Sequence, residues 1–368
     1  MSRIRVAHLV QCGPTTGGTV SHVALQVAYQ VAMGLDVMVV AASDGVLTDR
    51  SRRSGAAMIV DESLGLQWAG DPDSAADALA RTLGDWAPDL IHSHLMHAGF
   101  AGRAVSHRLG VPQIYTQHMF TPVDPFIRTA SLGGGLPHLI AVAEPIREGL
   151  SDFLGAAQPV HLVPNGVDVP PDTGFRLRSG AGPDVLYCGR LSPEKGDDTA
   201  LLAFALVARC RPDATLHVVG TGPDETLLRR MVAELQLESR VEFYGSVSGA
   251  LSRAAGADLA LVPSRGEAAS LVAMEAMASG VPVIASAVGG LPWVLGEGSA
   301  GSLVPPDDPV ALAAEIDRLL GDSAVRDRYS RTAKARHASL FRAETMVERT
   351  VEIYRAVLSG RVCTHEPE

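Results

Sequence analysis

The sequence predicts an α/β protein of two doubly wound parallel-sheet domains, and three observations carry that expectation. The chain has 368 residues, more than one hydrophobic core usually organises, so two domains of roughly 150 to 200 residues are expected. Short β-rich runs alternate with helical patterns, stop, and begin again, as a parallel sheet with crossover helices requires. Between the two series lies 170–183, PPDTGFRLRSGAGP, which has no apolar period and is loaded with the Pro, Gly and Ser of a linker.

In the first series the expected strands are 4–10, 37–42, 90–94, 113–118, 139–142 and 160–163. Val20 to Met33 reads as a helix that stops at Gly34, a residue suited to a left-handed cap. The second series gives strands at 185–188, 216–219, 241–244, 259–262, 281–285 and 301–304. Residues 1–168 are therefore assigned to the first domain, 169–183 to the linker and 184–342 to the second domain. A last helical segment, about 343–358 within the tail 343–368, has no strand behind it and is expected to pack back on the first domain. Two parallel sheets whose strand ends point at a shared crevice would put ligands between the domains, in the βα loops.

Composition narrows the function. The 46% hydrophobic content with 5% aromatics suits packed α/β layers, and 31 Lys plus Arg against 41 Asp plus Glu, a net charge of −10, makes nucleic acid an unexpected partner. Cys12, Cys188, Cys210 and Cys363 are scattered without a CxxC pair, which points to a reducing compartment. The chain opens on a strand, MSRIRVAHLV, and nowhere do about eighteen apolar residues run together. A cytoplasmic location without membrane association is expected, since no basic amphipathic helix stands out.

The richest window is 263–292, PSRGEAASLVAMEAMASGVPVIASAVGGLP. With Ser270 as N-cap, Glu267 falls in the preceding loop and Glu275 in the second turn, so both carboxylates can face one ligand. The helix start at Ala269, Ser270 and Leu271 offers amide N–H groups and a positive dipole end to a diphosphate. Carboxylates beside it would bind sugar or ribose hydroxyls. A second cluster, Gly189-Arg190-Leu191-Ser192-Pro193-Glu194-Lys195-Gly196, follows the first strand of the second domain, and Arg190 and Lys195 could converge on phosphate oxygens. Taken alone, this segment reads equally well as a solvated turn.

Weaker signals surround these. Gly17 and Gly18, between the first strand and helix, would let backbone approach a phosphate. Gly220-Thr221-Gly222-Pro223 reads as a tight turn near a nucleotide; Pro223 and the missing third glycine make it a poor dinucleotide fingerprint, which argues against an NAD-dependent dehydrogenase. His118 ends a strand at the edge where a sugar would sit. His92, His94 and His97 lie close in sequence, but His92 and His94 share one strand face and would need a third ligand, so no metal is expected.

Taken together these residues resemble glycosyltransferase family 4, the large retaining group with the GT-B fold, two Rossmann-like domains facing a cleft. The resemblance runs nearly the whole chain: Gly17-Gly18, His118, Asn165-Gly166-Val167-Asp168, GRLSPEKG at 189–196, VGTGP at 219–223, and the paired-Glu window ending in Gly289-Gly290-Leu291-Pro292. It implies that Arg190 and Lys195 hold the donor diphosphate, Glu275 the donor ribose, and Glu267 with the amides after it the sugar hydroxyls. It further implies that His118 contacts the donor sugar near the reacting carbon, that Gly17 and Gly18 approach the phosphates with Gly189 beside the cations, and that the base lies near Gly245 to Val247. Fixed cations and helix N–H groups would stabilise the departing diphosphate without a divalent metal, and retention in this family is usually described as same-face attack. UDP is the nucleotide the resemblance favours, on a hexose or N-acetylhexosamine. The acceptor is a hydroxyl of a small molecule, natural product or lipid carrier, chosen by first-domain loops at 45–66 and 119–136, the latter holding a flexible SLGGGL run. Where the family usually has Gly or Pro and then an aromatic after the first Glu, this chain has Ala268 and Ala269; Trp293 replaces a common Glu, and Ala143 a frequent Ser. These departures bear on the identity of the donor sugar. Two other readings share the architecture: a nucleotide-sugar epimerase or sugar phosphorylase, and a catalytically silent nucleotide-sugar binding protein.

Overall fold

The computed structural model describes residues 3–11, 17–65, 70–119, 124–132, 135–155, 158–168, 177, 182–247 and 256–360. Most of the expected linker lies outside these residues. The chain divides into two compact units, Met1–Gly166 with Ala343–Glu368, and Val167–Arg342.

In the first unit, strands β1 (Arg5–Val10), β2 (Asp36–Ala41), β3 (Ala57–Val60), β4 (Leu90–His94), β5 (Gln113–Gln117), β6 (His138–Ala141) and β7 (Val160–Leu162) form a parallel sheet in the order β3-β2-β1-β4-β5-β6-β7. Alternate residues face opposite sides of a strand. Val6, Val10 and Leu90 accordingly pack with Val23 and Val27 of helix Gly18–Ala32 and with Val347 and Val351 of helix Ala343–Leu358. Ala7, Leu9 and Ile91 pack with Leu79 and Leu83 of helix Pro72–Trp86 and with Ala98 and Val105 of helix Met96–Leu109. The helix after β1 ends where expected, with Gly34 at φ +87°.

Two stretches expected as loops carry regular structure among their described residues, while 66, 120–123 and 133–134, the last being the middle of the SLGGGL run, lie outside them. Residues 45–66 contain helix Val46–Ser54 and the edge strand β3, and 119–136 contains helix Pro125–Leu132. Strand β3 is a four-residue edge strand, Ala-Met-Ile-Val, apolar throughout yet with both ends exposed, and so short a run inside a segment read as a loop does not stand out. The helix at 125–132 begins on Pro125, and its apolar residues Phe126, Ile127 and Ala130 are buried.

In the second unit, β8 (Asp184–Cys188), β9 (Thr215–Val219), β10 (Val241–Gly245), β11 (Leu259–Val262), β12 (Val283–Ser286) and β13 (Ser302–Val304) form a parallel sheet in the order β10-β9-β8-β11-β12-β13. Leu201, Phe204 and Val207 of helix Asp197–Cys210, and Leu312, Ile316 and Leu319 of helix Pro309–Gly321, close over Val185, Leu216 and Leu259. In both sheets the chain reverses its direction of strand addition beside the first strand, at β1/β4 and at β8/β11. Such switch points leave a crevice beyond the strand C-termini where ligands bind. No helix among the described residues is long and apolar enough to cross a membrane.

Candidate functional site

The predicted donor residues of the second unit sit on loops that leave the C-terminal ends of its strands and are tied to one another by backbone hydrogen bonds. After β8, the Gly189 amide donates to Val219 and the Leu191 amide to Thr221; after β9, the Gly220 amide donates to the Gly245 carbonyl at 2.8 Å. Gly220, at φ +146°, leaves no room for a Cβ beside the Gly189 carbonyl, so the glycine here is demanded by a neighbouring main chain. Gly245 ends β10 and Val247 lies just beyond it, part-buried.

The other half is built from 192–196, 263–270 and 289–290. Arg265 donates its backbone N–H to the Glu194 carbonyl, and its guanidinium bonds the Asp198 carboxylate at 2.9 Å and that of Asp307 at 2.6 Å. The Gly290 amide donates to the Glu267 carbonyl at 3.0 Å. Lys195 Nζ then meets Glu267 Oε2 at 2.7 Å, with side chains 30% and 15% exposed. Ser270 caps helix Leu271–Ser279, its hydroxyl accepting from the Ala273 amide, as the sequence suggested. The first-turn amides of that helix have no carbonyl partner inside the helix, and buried Ala269 and part-buried Leu271 flank the cap.

Glu275 lies in the second turn, part-buried. Burial, with the Glu275 carboxylate near, pushes the Cys188 thiol at the end of β8 up to about 12. Arg190 is exposed; its carbonyl accepts from the Tyr187 hydroxyl at 3.2 Å. The Glu194 carboxyl is held below the usual range mainly by the Ser192 hydroxyl at 2.6 Å, with help from Arg190 and Lys195. Lys195 and Glu267 are thus in direct contact, and Glu275 stands by the strand end that leads to Gly189 and Arg190. The direct pairing of Lys195 with Glu267 was not legible in residues so far apart in the chain.

In the first unit, Gly17 precedes helix Gly18–Ala32 in extended conformation, and a Cβ there would meet nothing within 4 Å. Its backbone does not demand glycine. His118 follows β5, part-buried, with Nε2 2.9 Å from His94 Nδ1. It belongs to a larger group. His8 on β1 and His92 and His94 on β4 are fully buried, and helix Gly18–Ala32 adds His22, Gln26 and Gln30. His8 Nδ1 lies 3.0 Å from His94 Nε2, and His8 Nε2 lies 2.8 Å from Gln30 Oε1. His92 reaches the Tyr354 hydroxyl at 2.5 Å and the Thr116 hydroxyl at 2.7 Å. Burial pushes His8 and His22 down to about 4, and holds His92, His94 and His118 well below the ordinary histidine value, so all five are neutral near pH 7. His97 takes no part: its backbone N–H donates to Gln11. Two triads could hold a metal ion by position, His8/His92/His94 and His22/His94/His118, so β1 supplies the third imidazole that the His92/His94 pair lacked in the sequence reading, and the first helix and the residue after β5 build a second triad on His94.

Sequence reasoning overlooked His8 and His22. The available signal was polar spacing: His22, Gln26 and Gln30 recur every fourth residue, one stripe of an otherwise apolar helix. Ala143, where Ser was expected, is the N-cap of helix Glu144–Leu154 and makes no side-chain cap bond, because a methyl group cannot accept one. Trp293 lies edge-on to Phe341 with ring centroids 5.5 Å apart, so it serves as packing.

Comparison with known proteins gives a consistent set of relatives. Residues 16–170 match the family described as Glycosyltransferase Family 4, and residues 175–336 match Glycosyl transferases group 1. The chain is 31% identical over 304 residues to a D-inositol 3-phosphate glycosyltransferase of Segniliparus rotundus, covering 75% of this chain and 68% of that protein. It is 35% identical over 227 residues to an exopolysaccharide phosphotransferase of Streptomyces coelicolor, covering 61% of this chain and 24% of that longer protein. Among solved structures, Anabaena HepE in complex with UDP and glucose aligns with a TM-score of 0.81 at 21% identity, over 96% of this chain and 100% of that one, a likeness of fold.

Proposed function

Since the chain belongs to glycosyltransferase family 4 and has its GT-B fold, we propose that it is a retaining hexosyltransferase. Its donor is a nucleoside diphosphate sugar, UDP-linked, carrying a hexose or N-acetylhexosamine. Its acceptor is a hydroxyl of a small-molecule, natural-product or lipid-linked compound. The observation that carries this reading is the Lys195–Glu267 pair, 2.7 Å apart beside the capped start of helix Leu271–Ser279.

In this reading the second unit takes the donor and the first the acceptor. Lys195, Arg190 and the first-turn amides of that helix hold the diphosphate, with Gly189 and Gly220 letting backbone come close and the base lying by Gly245 and Val247. Glu275 takes the ribose hydroxyls. Glu267 orients Lys195 through one carboxylate oxygen and offers the other to sugar hydroxyls, together with Ala269 and the amides of Ser270 and Leu271. From the first unit, Gly17 and Gly18 approach the phosphates and His118 meets the sugar near its reacting carbon. A neutral imidazole there adds no positive charge beside the oxocarbenium-like centre, while the fixed cations stabilise the negative charge that grows on the departing diphosphate. The leaving phosphate oxygen takes the acceptor's proton, so the transfer itself draws on no metal. HepE's complex with UDP and glucose supports the choice of UDP.

The test is a pair of variants. Lys195→Ala and Glu267→Gln, each folded by circular dichroism, are expected to lose transfer by at least about 100-fold, the scale of removing one transition-state charge contact. Wild-type rates in both would remove the assigned roles.

A further inference from the structure

We propose that His22, His94 and His118 form a binding site for one divalent transition-metal ion of the zinc class. Their ligand nitrogens lie within 4.8 Å of one another, and they come from three separate elements: the first helix, the end of β4 and the residue after β5. His22 and His118 meet edge-on with centroids 4.7 Å apart, and His94 lies 5.2 Å from His118 and 6.1 Å from His22. His22 is 4% exposed, and its Nδ1 is buried with no hydrogen-bond partner among the described residues. A buried ring nitrogen that makes no hydrogen bond among the described residues, with two further ring nitrogens within 4.8 Å, is placed to donate its lone pair to a metal ion.

The surroundings prepare the donor set. Gln30 Nε2 donates to the Tyr354 hydroxyl at 3.1 Å, which leaves its carbonyl oxygen to accept from His8 Nε2. His8 then accepts at Nδ1 from His94 Nε2. His94 therefore carries its proton on Nε2 and turns the Nδ1 lone pair toward His118. Metal-binding histidines are usually fixed in this way by a hydrogen bond from the other ring nitrogen. His118 binds through Nε2 once its ring proton shifts to Nδ1, and the 2.9 Å gap to His94 Nδ1 opens by a few tenths of an ångström to the roughly 3.3 Å that two imidazoles keep on tetrahedral zinc. The rival triad is less suited. Both ring nitrogens of His8 are engaged by His94 and Gln30, and both of His92 by Tyr354 and Thr116.

Three imidazoles without a carboxylate select zinc, cobalt, nickel or copper over magnesium or calcium. Three protein ligands leave the fourth position to water or another small ligand.

The inference does not draw on the transferase reading, and its test contains neither donor nor acceptor. Untagged, chelator-treated protein is titrated with Co²⁺ and with Zn²⁺, following the cobalt visible bands, calorimetric stoichiometry and the melting temperature. One equivalent, an intense four-coordinate cobalt spectrum and a raised melting temperature are expected. His22→Ala should weaken binding at least tenfold, whereas His92→Gln should change it less than threefold; the reverse pattern would overturn the site. If either variant fails to fold, zinc-edge X-ray absorption on the wild-type protein decides, with three imidazoles at about 2.0–2.1 Å expected. No stoichiometric binding, or a six-coordinate site of oxygen ligands, would refute the proposal.

Discussion

Replacing Gly289 by Ala tests whether the donor loops work as a packed unit. Gly289 has φ +54°, and a Cβ added there would lie 1.9 Å from the Glu267 carbonyl oxygen, whereas real Cβ atoms essentially never come closer than 3.0 Å. Relief requires a shift of at least 3.0 − 1.9 = 1.1 Å, and the obstacle is backbone, so the Glu267 main chain has to yield. The left-handed conformation adds about 1–2 kcal/mol against Ala. Glu267 is the partner of Lys195, so the displacement reaches both residues assigned to the donor. A misplacement of about 1 Å can cost on the order of 100-fold in rate. The assay is donor turnover and nucleotide affinity for Gly289→Ala beside Gly256→Ala, whose Cβ would meet nothing within 4 Å. Both variants should fold, with turnover lost in the first and kept within about threefold in the second. Wild-type turnover in Gly289→Ala would show that the position of Glu267 does not matter to the chemistry, and the assigned role would fall.

Acid should destabilise the first unit before carboxylates titrate. Folding lowers His8 and His22 from 6.5 to about 4, so the folded state binds fewer protons than the unfolded chain below pH 6.5. Stability is then complete above that pH and falls as pH drops toward 4, by about 3 kcal/mol for each histidine; a melting temperature unchanged between pH 7 and pH 5 would contradict this. Tyr354→Phe removes the hydroxyl shared by His92, Gln30 and Gln26, and leaving these buried groups without it should cost about 1–3 kcal/mol, read as several degrees in melting temperature. Chelator treatment should leave transfer unchanged or faster, and added Zn²⁺ should slow it by taking His118; a metal requirement for turnover would contradict the proposed chemistry.

The strands and helices were legible where one physical signal dominated. A fully buried strand such as β11, Leu259–Val262, stands out as a continuous apolar run, and Ser270 and Gly34 mark helix ends because a hydroxyl cap and a left-handed glycine are local requirements. Strand β3, Ala57–Val60, carries the same apolar signal but is four residues long, exposed at both ends and inside a segment read as a loop, so it did not stand out. Within the candidate site, residue types were readable and contacts were not. Lys195 and Glu267 are joined only by the fold, and the need for Gly289 comes from a main chain that reaches it from another loop. The histidine group was hidden for the same reason: the register of β1 against β4 pairs His8 with His92, and no spacing within either strand announces it. Ala143 shows the converse, a departure visible in sequence whose consequence, an uncapped helix start, is visible only in the structure.

The central claim is that a nucleoside diphosphate sugar binds through Lys195 and is cleaved to pass its sugar to a hydroxyl. The most direct measurement incubates the protein with a panel of UDP-, GDP-, ADP- and TDP-sugars and hydroxyl acceptors, and follows released nucleoside diphosphate by mass spectrometry and the anomeric configuration of the product by NMR. A diphosphate released by the wild-type chain and not by Lys195→Ala, with the donor's anomeric configuration retained, is the predicted result. Absence of binding and cleavage for every donor, or an inverted product, would contradict it.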